Sequence, residues 1–391
     1  MRFPIRASVV TLCILLSWTP SFGFEASSLL KCSAQVLRCA SGSLTDVSPM
    51  GEQHSDAVES YEIKSRFIIL STNRELIHSK YNYKTIEELS GSFSDEGSVV
   101  TTNGYAEIEI NPVDATQRDN SILRQGLFRN DGEYNLFLNG GESQFRKRDR
   151  NLIFVHGVNN DIETAVTSAA AITDGFGLKA NTFAFCWPSE RWSYLDYFPD
   201  SLQQFILRAY DHDVSRSEFS FKPFASMISQ LDAFQLGEIN LFAHSRGSFI
   251  VASGMRDLVI SANQSLRKIK SVSFAAPDIS NDAFRTLFSE PFASMRGIFT
   301  VYVNGGTDIA LVLGQWRDGL RRVGRAPIPI GMANVDVVYV TNDVSMIGHS
   351  FFSGVRELAS DLRGIVIDGI PARERSSVML VDSDHFNLVE H

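Results

Sequence analysis

The chain has 391 residues, 44% of them hydrophobic, enough apolar material for one large buried core or two smaller ones. A formal net charge of −9 and a sequence pI near 5.4 leave no domain-wide basic surface, which excludes a nucleic-acid-binding protein. No His cluster and no Cys-x-x-Cys pair stands at metal-ligand spacing, so no metal site is expected.

The first residues read as an export signal. Arg2 and Arg6 give a positive start, and Ala7 to Trp18 form an apolar run too short to span a bilayer. Ser21 and Gly23 supply small residues for cleavage, so residues 1–23 are expected to be removed and the protein to be periplasmic or secreted. The alternative is an uncleaved anchor. Cys13 would leave with the signal, Cys32 and Cys39 could close a small loop, and Lys31 before Cys32 argues against lipid attachment. Residues 24–64 are Ser-rich and without period, an N-terminal extension of mobile character.

From residue 65, "SRFIILST", "YAEIEINP" and "YNLFLN" alternate like strands between polar loops. After residue 150 the pattern becomes regular. "NLIFVHG" reads as a buried strand, and Ile162, Ala165, Val166, Ala169 and Ala170 fall on one helical face behind it. "NTFAFCWPS" is a second strand, with Cys186 as an inert core thiol. Phe224, Met227, Ile228 and Leu231 mark a helix that leads into "INLFAHS". Further strands are "KSVSFAAPD", "IFTVYVNGG" and "VDVVYV", and a last helix carries Phe351, Val355, Leu358, Ala359 and Leu362 on one face. Nearly continuous apolar strands alternating with helices predict a mostly parallel sheet covered on both faces, with residues 366–391 left as a tail.

Ligands of such sheets bind beyond the carboxyl ends of the strands, and the distinctive polar residues stand there. "VHGVNN" closes one strand, Ser245 in "AHSRG" another; Asp278 and Asp308 follow two more, and His349 comes after "VDVVYV". Ala243 and Gly247 flank Ser245 two positions to either side, as a sharp strand-to-helix turn requires. A serine hydroxyl needs a base to take its proton. His54 and His78 precede the regular core, and His212 lies in the loop "YDHDVSRSEFS". His156 shapes the turn after its strand, and His244 packs away from the elbow. His349, His385 and His391 remain, the last two in the tail.

On "NLIFVHGVNND", "FAFCWPSE", "INLFAHSRGS", "AAPDISNDAF", "VYVNGGTDIAL" and "VDVVYVTNDVSMIGHSFF", the chain resembles the esterase/lipase branch of the α/β-hydrolases. Within it the chain is similar to a bacterial family of largely uncharacterised hydrolases, over residues 65–365. The resemblance implies an α/β-hydrolase fold and a triad of Ser245 as nucleophile, His349 as base and Asp308 as acid. Asp278 is the alternative acid. The oxyanion would be met by the backbone N–H groups of Arg246 and Val158, with Gly157 or Asn159 as alternatives to Val158. Two departures bear on substrate choice: Arg246 stands where Met is usual, and "GGTDIAL" replaces a shorter polar turn.

The aromatic stretch holding Trp187, Trp192, Tyr194 and Tyr197 could wall an acyl pocket but reads first as core and loop packing. "GQWRDGLRRVGR" could meet an anionic membrane surface but reads first as a solvated helix face. The resulting expectation is an exported serine hydrolase acting on a small-molecule or lipid-like ester through an acyl-enzyme, without cofactor. The competing readings are a non-catalytic binding or envelope-interaction protein and a peptidase or amidase.

Overall fold

The computed structural model describes residues 65–78, 83–109, 122–140, 148–175, 177–190, 202–304, 308–325, 332, 334–340, 356–382 and 385–389. The signal at 1–23, the extension at 24–64, Cys32, Cys39, Trp192, Tyr194, Tyr197 and His349 lie outside these residues. Contacts divide the chain into two units. The described part of the first is the opening turn of one long helix; all else described belongs to Lys64–Ser193 with Leu207–His391.

In chain order the elements are β1 (Ser65–Leu76), α1 (Ile86–Ser90), β2 (Phe93–Glu109), β3 (Ile122–Leu127), α2 (Asp131–Leu138), β4 (Arg150–Val155), α3 (Ile162–Gly175) and β5 (Asn181–Cys186). Then come α4 (Leu202–Ala233), β6 (Glu238–His244), α5 (Gly247–Ile260), β7 (Ile269–Ala275), α6 (Asn281–Ser294), β8 (Ile298–Asn304) and α7 (Ile309–Asp318). The chain closes with β9 (Val335–Val340), α8 (Arg356–Arg363), β10 (Val378–Leu380) and β11 (His385–Leu388).

The strands form one 11-stranded sheet in the order β10-β11-β9-β8-β7-β6-β4-β5-β1-β2-β3. From β11 across to β1 every pairing is parallel, and the outer strands pair antiparallel. A parallel strand must be covered on both faces, and alternate residues show how. Ile153, Val155, Phe183, Leu241 and Phe274 pack on one side with Phe224, Met227, Ile228 and Leu231 of α4 and Ile250, Val251 and Met255 of α5. Leu152, Phe154, Ala184, Phe242 and Val338 pack on the other with Ile162, Ala165, Val166, Ala169 and Ala170 of α3 and Leu358 and Leu362 of α8. Both helical faces expected from the 3.6-residue period are therefore the buried ones. Burying each large side chain removes it from water, for roughly 1.5–3 kcal/mol apiece.

The chain turns from β4 to β5 on one side, then returns to lay β6 on the other side of β4. That reversal sets β4 beside β6, and the loops after them meet, with Gly157 packed against Ser245.

Four expectations need correction. "YNLFLN" is not a strand: Asn130 caps α2, its side chain accepting the Glu133 N–H at 3.0 Å, and Tyr134, Phe137 and Leu138 bury a helical face. The segment holding His212 is not a loop but the middle of α4. Residues 366–391 are not a tail, because β10 and β11 extend the sheet beyond β9. Nor is "GQWRDGLRRVGR" one solvated helix: α7 stops at Gly319, where φ is +74°, and Arg322 beyond it is buried.

Candidate active site

β6 runs straight into α5 through Ser245 and Arg246. To make that turn, Ser245 adopts φ of 52°, a left-handed conformation that costs a residue with a Cβ about 1–2 kcal/mol. The turn is held from both sides: the Ser245 N–H donates to Ala275 O at 2.9 Å, and Ser245 O accepts from the N–H groups of Ser248 and Asp278 at 3.1 Å each. A Cβ at Gly247 would stand 2.5 Å from the carbonyl oxygens of Val155 and His156, so that position must lack one. Gly157 meets the elbow from the other strand, where an added Cβ would lie 2.7 Å from Ser245 Cβ and 3.3 Å from its Oγ. The Ser245 hydroxyl is fully buried and finds no hydrogen-bond partner among the described residues.

Two sets of backbone N–H groups converge here. Arg246 and Gly247 open α5, so their N–H groups have no carbonyl one turn back to bond, and this end of the helix is electropositive. The facing loop, Gly157 to Asn160, follows β4. Its Asn159 has φ of 60°, and the Asn159 N–H donates to Asp213 Oδ2 at 2.9 Å. That removes Asn159 from the possible oxyanion donors. Among the described residues no acceptor takes the Val158 N–H.

His156 shapes this loop as expected. Its Nδ1 donates to Gly157 O at 2.8 Å, its ring stacks on Trp187 at 5.2 Å, and the Trp187 indole donates back to His156 O at 2.7 Å. Burial outweighs these contacts and pulls His156 down to about 3, so the imidazole is neutral. His244 is buried as well, and its Nδ1 abuts Gly157 rather than turning away from the loop. Cys186 is buried as expected, and burial pushes its thiol pKa up.

Asp308 stands just past β8, buried, and its side chain accepts the Leu311 N–H at 3.2 Å as the cap of α7. Asp278 follows β7 and is differently engaged. One oxygen accepts the Tyr210 hydroxyl, and the other lies 2.9 Å from Arg322 Nε in a buried ion pair. Burial first, then the Asp278 charge, hold the Tyr210 phenol well above its ordinary value. His385 sits on β11, with Nδ1 2.6 Å from Asp382 and its ring stacked on Tyr339. β11 lies four strand positions from β6, on the order of 19 Å away, so His385 is not placed to serve Ser245.

The Arg246 side chain runs back under the elbow: Nε donates to Ser217 Oγ at 2.8 Å and the guanidinium covers the Phe249 ring at 4.2 Å. Sequence reasoning missed the polar frame behind the site, made of Asp213, Ser189, Arg74, Tyr210 and Arg322. These residues come from distant parts of the chain and carry no spacing pattern, so nothing local marks them.

A family model described as "Alpha/beta hydrolase of unknown function (DUF900)" matches residues 142–362, which hold both loops and the elbow. No curated protein matches the chain. Among solved structures, an uncharacterized protein from Bacillus cereus is similar at 12% identity and TM-score 0.31, over 58% of this chain and 62% of that one. The chain thus spans under two thirds of that relative. Dienelactone hydrolase from Anabaena variabilis is similar at 8% identity and TM-score 0.32, over 67% of this chain and 91% of that one. A fungal esterase from Rhizomucor miehei is similar at 11% identity and TM-score 0.33, over 95% of this chain and 100% of that one. At this level of similarity none of the three bears on what the chain acts on.

Proposed function

We propose, because the chain belongs to this family of α/β-hydrolases, that it is an exported serine hydrolase cleaving carboxylic esters. The observation that carries the reading is the backbone of Ser245. A left-handed φ of 52° at a buried serine whose hydroxyl has no partner among the described residues, set between β6 and α5, matches the strand-to-helix turn of a nucleophile elbow. It is understandable where a hydroxyl must be presented at one point, beside N–H groups from two different loops.

In this reading Ser245 Oγ attacks the ester carbonyl as His349 takes its proton, and Asp308 orients the imidazole. The oxyanion is met by the N–H groups of Arg246 and Val158. The C–O bond breaks, the alcohol leaves with the proton from His349, and water then releases the acid from Ser245 by the same route. Asp308 is favoured over Asp278 because both Asp278 oxygens are already engaged, by Tyr210 and Arg322.

The test is a panel of short and long acyl esters beside matching amides, run on the purified full chain. Esters should turn over; Ser245→Ala should lower kcat on the order of 10⁴ or more, and Asp308→Asn or His349→Ala should do nearly as much without adding to it. Turnover of amides alone would make the protein an amidase. Ester turnover unchanged in Ser245→Ala would remove the chemistry from this site.

A further inference from the structure

We infer that Asp213 is a positioning residue, holding the loop after β4 so that the Val158 N–H faces the nucleophile. Its catalytic consequence rests on the ester-hydrolase reading above; its structural consequence does not. Asp213 lies on α4, fully buried, 54 residues along the chain from the loop it grips. Its Oδ2 accepts the Asn159 N–H at 2.9 Å and the Ser189 hydroxyl at 2.7 Å, and its Oδ1 accepts the Glu190 N–H at 2.9 Å. Ser189 Oγ in turn accepts the Asn160 N–H at 3.2 Å. One carboxylate therefore joins the loop after β4 to the loop after β5.

The effect on Val158 follows from peptide geometry. In a trans peptide the N–H points opposite to the preceding C=O. The peptide between Val158 and Asn159 is pinned at both ends: Val158 O accepts Asn160 Nδ2 at 2.7 Å, and the Asn159 N–H is bound by Asp213. The peptide before it is pinned by its carbonyl, since Gly157 O accepts His156 Nδ1 at 2.8 Å. With both planes fixed, the Val158 N–H has one direction. Asn159 tolerates its left-handed φ of 60°, and the buried Asp213 carboxylate fixes the direction of its N–H there. Arg74 secures the far end, donating from one Nη2 to Asn160 O at 3.0 Å and to Ser189 O.

Asp213→Asn is the direct test. An amide replaces one acceptor oxygen by NH₂, so whichever way it turns, a backbone N–H faces another donor. We expect kcat to fall by about 10- to 100-fold with KM within about twofold, because the loss is of alignment. Hydrogen exchange at residues 159 and 160 should quicken about tenfold or more while the amides of α5 keep their protection. Ser189→Ala, which removes one donor from the carboxylate, should shift both readouts the same way by less, and decides the matter if Asp213→Asn does not fold. A folded variant with wild-type exchange at residues 159 and 160 overturns the inference, as does a variant whose KM rises while kcat holds. If the wild-type chain turns over no ester, the ester reading falls, and the exchange measurement still judges the clamp.

Discussion

At Ser245 the backbone and the chemistry make opposite demands. The turn is best suited to glycine, the proposed reaction requires an oxygen, and the residue present satisfies the second at the expense of the first. Ser245→Gly should therefore raise the free energy of unfolding by about 1 kcal/mol while abolishing turnover, whereas Ser245→Ala should abolish turnover without that gain. Urea denaturation of the two variants beside the parent measures the difference; a glycine variant no more stable than the alanine one would mean that the turn stores no strain. The same crowding explains why "AHSRG" was legible. Gly247 faces carbonyl oxygens that would lie 2.5 Å from a Cβ, and Ala243 is fully buried, so small residues at both positions are a packing necessity that leaves a mark in the sequence.

Among the elements, the C-terminal strands show what a polar sequence conceals. Residues 366–391 lack the long apolar runs of the central strands; they pair onto the sheet beside β9, and a buried ion pair anchors them. Asp361 on α8, fully buried, accepts from Arg375 Nε at 2.7 Å, Tyr302 Oη at 2.6 Å and Ser377 Oγ at 2.6 Å, tying β8, α8 and the approach to β10 together. Removing one partner leaves a charge buried without compensation, so Arg375→Ala should destabilise the fold by about 3 kcal/mol. A change under about 0.5 kcal/mol in chemical denaturation, the level of a surface substitution, would return the segment to the status of a tail. α2 departs from the sequence expectation for a related reason. "YNLFLN" alternates well enough for a strand, and the deciding residue, the cap Asn130, lies outside the run that was read. The long helices α3 and α4 were legible because runs of aliphatic and aromatic side chains at helical spacing, Ile162 to Ala170 and Phe224 to Leu231, form their buried faces; the polar residues buried beside them, Thr173, Asp213, Ser217 and Ser220, left no such mark.

For the whole molecule, the parallel sheet and its two covers followed from the rhythm of apolar runs, as did the standing of Ser245, Asp278 and Asp308 just past strand ends. What the rhythm does not contain is the set of long-range polar contacts. The Asp213 clamp and the Asp278–Arg322–Tyr210 cluster join residues whose separation in sequence is arbitrary, and no periodicity predicts them. The Asp213 clamp bears on the proposed chemistry because it holds the loop after β4, which packs against Ser245. Covalent labelling tests most directly whether Ser245 is an activated nucleophile. A fluorophosphonate probe applied to the full chain, followed by peptide mass analysis, should place a single adduct on Ser245, with labelling lost in Ser245→Ala and strongly slowed in His349→Ala. A folded wild-type protein that takes up no probe at Ser245, or takes it up equally well in His349→Ala, would contradict the account.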